Sequence, residues 1–289
     1  MRSGIKSVVR SAAWHAADAA ATSAGVRIEV LDTIEDLEAV RRLYESIWRT
    51  GATNPPVTAD MLRALAKAGN YVSGAYIGEE LIGACFGFFS APVRDALHSH
   101  IAGVVGHSRA RHVGFALKLH QRAWTLDAGA AAITWTYDPL IRRNAWFNLG
   151  KLAADAVEYL PDFYGPMDDD INRSDPTDRI LVHWPLATPA VVDACSGRPR
   201  EDTGTELDPD SITALEESAS GGPIVRAPVT PVVLVGVPAD IEELRERDPA
   251  CAAEWRTALR EVLGDLLGAG GSIRGFDRAG RYVVERNDW

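Results

Sequence analysis

The sequence predicts an α+β fold, a mixed β-sheet flanked by helices with a small C-terminal β-α-β-β extension. Three observations predict it. Runs that alternate apolar and polar residues are interleaved with runs of helical periodicity, in the order strand, helices, three strands, helix, strand, helix, strand. Clusters of Gly, Pro, Asn and Asp separate these runs. At 289 residues the chain has room for about two domains, and its 46% hydrophobic and 24% charged residues are ordinary for a globular protein.

The elements follow in order. Val26–Val30 alternates as a half-buried strand. Asp32 or Thr33 can cap the next helix, whose stripe is Leu37, Val40, Leu43, Tyr44 and Ile47, and which stops near Trp48 before Asn54-Pro55-Pro56. Thr58–Ala68 fits a second helix. Tyr71–Ile77 and Leu81–Phe89 read as strands turned by Gly78-Glu79-Glu80, and Leu97–Val105 as another. Val113–Leu126 fits a helix, and Ala131–Tyr137 is a strand with bulky residues on both faces, hence central. Asn144–Val157 fits a helix and Ile180–Leu186 a strand. These divide the chain into a flexible or helical extension at 1–25, a main domain at 26–186, an acidic linker at 187–228 and a small unit at 229–289. In the small unit Pro231–Val237 is a strand, Ile241–Leu267 a helix, and Ser272–Phe276 with Tyr282–Glu285 a hairpin. Between Arg198 and Ser220 seven acids face two bases, so half of the chain's net charge of −10 sits there, the mark of a solvated segment.

The acidic balance argues against a general nucleic-acid or anionic-membrane surface, though not against a local basic pocket for phosphates. No stretch of about 18 apolar residues is present, and the N-terminal basic residues lead into no continuous apolar region, so neither a membrane span nor a signal peptide is expected. Cys85, Cys195 and Cys251 are odd in number and widely spaced, which fits a reduced, cytoplasmic setting.

The informative segment is Ile101–Lys118, where a strand ends, a loop with Arg109, Arg111 and Gly114 follows, and a helix starts. A helix N-terminus leaves N–H groups unpaired and carries partial positive charge, and two arginines beside it strengthen an anion site. The same letters also fit an ordinary strand-to-helix turn with solvated arginines.

The segment resembles the pyrophosphate loop of the GNAT superfamily of acyl-CoA-dependent N-acyltransferases, Arg/Gln-x-x-Gly-x-Gly/Ala. Arg111-His112-Val113-Gly114-Phe115-Ala116 matches the letters outright. Arg109-Ala110-Arg111-His112-Val113-Gly114 fits the surroundings better, with His112 where the family has its first Gly and Val104 at the strand end. Leu97-His98-Ser99-His100, Thr134–Leu140, Asn144-Ala145 and Thr177-Asp178-Arg179 resemble a bacterial branch of the superfamily that carries extra C-terminal sequence, some of whose members are thought to acylate amino acids.

The resemblance implies a GNAT-like sheet whose fourth and fifth strands splay around the thioester of acetyl-CoA or another acyl-CoA. Val104, Val105, Arg109, Ala110, Arg111, His112, Val113, Gly114 and Phe115 would hold the cofactor, with Asn144 and Asn148 on its pantetheine arm. An N–H near Gly103–Val105 would polarise the carbonyl. The acceptor would be a primary amine of a small molecule such as an amino acid, taking an acetyl or succinyl group by direct attack. No metal, nucleic acid or membrane is implied, and the oligomeric state stays open, a homodimer included.

His98 and His100, two apart on a strand, are the candidate bases; core histidines and a His-x-His metal pair are the other readings, the last without a third ligand at a telling spacing. The family's usual acid, a tyrosine, falls on Leu149, which leaves Tyr137, Tyr164 or solvent to protonate the thiolate. Asp138 reads either as a strand-end group that contacts the substrate or as a helix-entry turn, Tyr164 is also a candidate substrate contact, and Asn144 reads either as a ligand or as a cap. Asp178-Arg179 reads either as an anchor for a substrate carboxylate or as a structural salt bridge. The alternative to an enzyme is an acyl-CoA-binding or scaffold protein on the same fold.

Overall fold

The structure, a computed structural model, describes residues 2–50, 54–91, 95–165, 167, 175–200 and 211–287. Its chain divides into two compact units, Met1–Trp135 with Pro185–Thr188, and Thr136–Trp184 with Pro189–Trp289.

The first unit runs α1 (Arg2–Ala24), β1 (Arg27–Val30), α2 (Ile34–Trp48), α3 (Ala59–Lys67), β2 (Tyr71–Ile77), β3 (Glu80–Phe89), β4 (Ala96–Val104), a 3₁₀ turn (Gly106–Arg111), α4 (Val113–Asp127) and the start of β5 (Ala132–Tyr137). Its strands lie in sequence order, antiparallel from β1 to β4, with β4 and β5 parallel. This is the mixed, helix-flanked sheet expected. The Thr33 side chain caps α2 by accepting from the Asp36 N–H, as the sequence pattern requires. The stripe Leu37, Val40, Leu43 and Tyr44 is buried against Val72, Ala84 and Phe86 of the sheet. Each such side chain contributes roughly 1.5–3 kcal/mol of burial.

The expectation of a flexible 1–25 extension is corrected. α1 packs on α4: Ala13 and Ala17 are buried, the Trp14 ring meets His120 edge-on at 5.1 Å, and Trp14 Nε1 donates to Asp127 at 2.6 Å. A face of alanines lets two helices approach closely, and its low hydropathy hides that role in the sequence.

The second unit contains α5 (Arg142–Ala145), a π-turn (Trp146–Lys151), β6 (Asp155–Leu160), β7 (Arg179–Pro185), α6 (Pro189–Cys195), β8 (Ile212–Glu217), β9 (Pro223–Val225), β10 (Val232–Gly236), α7 (Ile241–Arg247), α8 (Pro249–Leu259), a second π-turn (Arg260–Gly264), α9 (Asp265–Gly268), β11 (Ser272–Phe276) and β12 (Arg281–Glu285). The helix expected over Asn144–Val157 therefore ends early. Ala153 turns the backbone left-handed at φ 54°, and the following residues pair with β7 as β6.

The linker expected at 187–228 is also corrected. α6, β8 and β9 lie within it, and β8 and β9 extend a five-stranded sheet ordered β11-β12-β10-β8-β9. Five of the seven acids counted above fall at 201–210, outside the described residues. The expected β-α-β-β unit is real in order but starts earlier, at β8. Its long helix breaks at Asp248-Pro249, where the Asp248 carboxylate accepts from the Cys251 N–H and Pro249 occupies the first turn of α8.

Candidate active site

β4 and β5 pair over only three positions: Ala96 with Ala132, Leu97 with Ile133, and His98 with Thr134. Beyond His98 this pairing stops, and β4 continues to Val104 beside β3. A bulge accompanies the parting. Ile101 pairs with Phe86 and Ser99 with Gly87, so His100 is the extra residue on β4. The strands cross closely here: a Cβ on Gly87 would lie 2.5 Å from the His98 carbonyl oxygen, a contact only glycine avoids.

His98 and His100 come together at this point, their ring centroids 5.9 Å apart, both against Phe88, with His100 also edge-on to Phe86 at 5.5 Å. His98 Nδ1 lies 3.2 Å from Thr134 Oγ1. Burial, then the neighbouring His100 and Lys118, push the His98 pKa down to about 4, and burial lowers that of His100. His98 is therefore neutral at physiological pH, one ring nitrogen an acceptor and the other a donor.

The loop after β4 has the expected place and a particular shape. The Val105 N–H donates to the Ile82 carbonyl at 2.9 Å, so the expected carbonyl-polarising role does not fall on that amide. Since Val105 faces β3, strand alternation turns the Val104 and Ala102 amides toward the side that β5 has left. Arg109 and Ala110 belong to the 3₁₀ turn, and their side chains lie outside the described residues. Arg111 and His112 are exposed, and Val113 is buried, so Val113 can offer only its backbone.

His112, the residue before α4, sits at φ 63°. This left-handed conformation is the one glycine favours. The ladder of α4 begins with the Phe115 and Ala116 amides, both donating to the His112 carbonyl, at 3.0 and 3.2 Å. The Val113 and Gly114 amides are thus the leading donors of the helix.

Gly114 is the most telling residue. Its φ is not positive, and a Cβ there would come no nearer than 4.0 Å to any neighbour, Val104 Cγ2. Neither backbone nor packing demands a glycine in this first turn, where it costs up to about 1 kcal/mol against alanine. Bare backbone facing open space at a helix N-terminus can hold an anion.

On the other face of the parting point lies a buried polar group that the sequence does not advertise. Lys118 of α4 donates to Ser99 Oγ at 3.0 Å and to Gln121 Oε1 at 3.1 Å, and its Nζ stands 3.7 Å from the centre of the Trp135 ring. Gln121 Nε2 in turn donates to Cys85 Sγ at 3.2 Å. Burial lowers the Lys118 pKa to about 8 and raises that of the Cys85 thiol. The only hint in the sequence is polar Lys118, Gln121, Arg122 and Thr125 spaced along one side of an otherwise apolar helix, all of them buried.

The remaining candidates belong to the second unit, where most are held in hydrogen bonds and ion pairs of that unit. Tyr137, expected as an acid, is buried, with its hydroxyl 3.3 Å from that of Tyr282. Tyr282 donates to the Pro139 carbonyl, so the Tyr137 proton is engaged with Tyr282, and burial raises its pKa. Asp138, expected at the substrate, is enclosed by arginines. Arg256 donates to it at 2.9 and 2.8 Å and Arg245 at 2.8 Å, and both also hold Asp175. These guanidinium groups hold its carboxyl far below the usual range despite burial.

Asp178 accepts from Tyr159 at 2.7 Å and from Arg260, the structural alternative to a carboxylate anchor. Arg179 is buried, donating to the Asp178 carbonyl and lying over the Tyr164 ring. The Tyr164 hydroxyl lies 3.0 Å from Thr136 Oγ1. Asn148 is buried in the π-turn. Asn144 lies inside α5, whose N-cap is Ile141, which removes the capping alternative for it.

Among the described residues no group of three or more His, Cys, Asp or Glu is placed to hold a metal ion, and no helix is long and apolar enough to cross a membrane. No protein-family model matches the chain, and no curated protein matches it. Among solved structures the chain is similar to N-acetyltransferases. One, from Staphylococcus aureus Mu50, is 13% identical with a TM-score of 0.47, over 56% of this chain and 98% of that one. The ribosomal-protein-S18-alanine N-acetyltransferase from Escherichia coli is 14% identical with a TM-score of 0.44, over 56% and 95% of the two chains. Arabidopsis thaliana Naa50, solved with the bisubstrate analogue CoA-Ac-MVNAL, is 16% identical with a TM-score of 0.42, over 55% and 97%.

Proposed function

We propose that the chain is an acyl-CoA-dependent N-acyltransferase that moves an acetyl or succinyl group to a primary amine of a small molecule, such as an amino acid. The observation that carries this reading is the parting of β4 from β5 directly after His98, with two histidines at the fork and a bare helix start at the end of β4. The Val113 and Gly114 amides, with Arg111, would take the diphosphate, and Arg109 belongs to the same proposal. The thioester would enter the gap between the strands, its carbonyl polarised by the Val104 or Ala102 amide. Holding amine and thioester together supplies several kcal/mol, of the order of 7 at best.

A neutral imidazole, His98 or His100, receives the proton of the attacking amine. His98 is the better placed for a direct role, since its hydrogen bond to Thr134 fixes the ring where the strands separate. Tyr137 and Asp138 take no part in the chemistry.

Thiol release from acetyl- and succinyl-CoA against a panel of amines, free amino acids of both hands included, tests the reading. Turnover that falls at least a hundredfold in the His98→Ala, His100→Ala double variant, with CoA affinity kept, supports it. Tight CoA binding with no turnover on any amine would instead show a binding protein, and no CoA binding at all would refute the site.

A further inference from the structure

We infer that the Lys118 ammonium is the proton donor to the departing CoA thiolate. This role rests on the transferase reading above and fills the place left by Leu149 and by the engaged Tyr137. The last β4–β5 pair is His98 with Thr134, and the residues next along the two strands are Ser99 and Trp135. Lys118 Nζ touches both, so it stands at the fork itself, on the α4 side. His98 and His100, packed on Phe88, hold the other side. An acyl group in the gap would have bases on one face and an ammonium on the other, the division of labour an acyl transfer requires.

The ammonium is also an expensive group to keep. It is buried, and its contacts are Ser99 from β4, Gln121 from α4, Trp135 from β5 and, through Gln121, Cys85 from β3. The other titratable groups that face it are His98 across β4 and the Cys85 thiol. None of these is a carboxylate. A buried cation held by neutral dipoles costs several kcal/mol that an apolar side chain would not. An anion that forms only during the reaction accounts for retaining it. With a pKa of about 8, the group is mostly charged at pH 7 and closely matched to an ordinary thiol.

The step balances. The amine nitrogen forms a bond to the acyl carbon and gives its proton to an imidazole. The C–S bond breaks with its electron pair on sulfur, and sulfur takes a proton from Lys118. Solvent then returns the imidazole proton to the lysine, leaving amide and free CoA thiol.

The test is Lys118→Met in the full chain, read by CoA titration, kcat and thermal unfolding. The expected result is CoA affinity within threefold of wild type, kcat down roughly tenfold to a hundredfold, and a melting temperature equal or higher because a buried charge is gone. Wild-type kcat should fall above about pH 8 as the ammonium deprotonates, and this limb should vanish in the variant. Lys118→Arg, which keeps charge but cannot release a proton in this range, should stay slow. Should Lys118→Met fail to fold, Ser99→Ala, which removes the hydrogen bond aiming the ammonium, should still lower kcat without weakening CoA binding. Full kcat in a folded Lys118→Met, full rescue by Lys118→Arg, or unchanged kcat in Ser99→Ala overturns the role. A wild type with no turnover sinks the transferase reading and this role together; a wild type that turns over beside an equally fast Lys118→Met sinks this role alone.

Discussion

Replacing Gly114 by alanine separates what this residue does for the fold from what it does for a ligand. The added methyl group meets only Val104 Cγ2, at 4.0 Å, and the backbone is already compatible with a side chain. Inside a helix the change from glycine to alanine gains about 0.5–1 kcal/mol. In a unit of this size that raises the melting temperature by about 1–4 °C. The same methyl group occupies the space through which a diphosphate would reach the leading amides of α4. Hydrogen bonds to a charged group are worth about 1.5–3 kcal/mol each, so losing one weakens CoA binding about tenfold or more. Differential scanning calorimetry and isothermal titration with CoA on the same preparation read both effects. A more stable variant that binds CoA as tightly as wild type would refute the assignment of this loop to the diphosphate.

His112→Gly should stabilise the protein by up to about 1 kcal/mol, because φ 63° is strained for histidine, and should leave CoA affinity within threefold; a larger loss would give the imidazole itself to the phosphate. Asp138→Asn leaves Arg245 and Arg256 short of a buried counter-charge and should cost about 3–5 kcal/mol in denaturant unfolding; an unchanged stability with a raised KM for the amine would restore its role at the substrate. The His98 ring should titrate by NMR near pH 4 rather than 6.5, and His100→Ala should move that midpoint upward. Because the folded pKa lies below the unfolded one, His98 favours the native state above pH 6.5, and this contribution is lost as the pH falls from 6.5 through 4. The loss is roughly 2 kcal/mol once the wet edge of the ring is allowed for.

Legibility in the sequence follows how local each signal is. The α2 stripe and its Thr33 cap, the β2–β3 hairpin and the strand–loop–helix around Gly114 are written in neighbouring residues, and all are found where periodicity and turn chemistry put them. His98 and His100 meet because two-residue spacing on a strand is a local rule that survived even the bulge. What stays hidden depends on distant partners. The ion cluster of Asp138 needs Arg245 and Arg256, more than a hundred residues away. Lys118 reads as a surface lysine until Ser99 and Trp135 are seen around it. β6 is masked because Asn144–Val157 keeps helical periodicity through the π-turn, and only the left-handed Ala153 ends it. β8 follows directly on the acids that make the segment look like solvated linker.

A crystal structure of the protein grown with acetyl-CoA locates the diphosphate and the thioester outright. Diphosphate oxygens are expected within hydrogen-bond reach of the Val113 and Gly114 amides, and the thioester between β4 and β5 beside His98. A nucleotide bound elsewhere, or a β4–β5 gap that stays closed to the thioester, would contradict this placement.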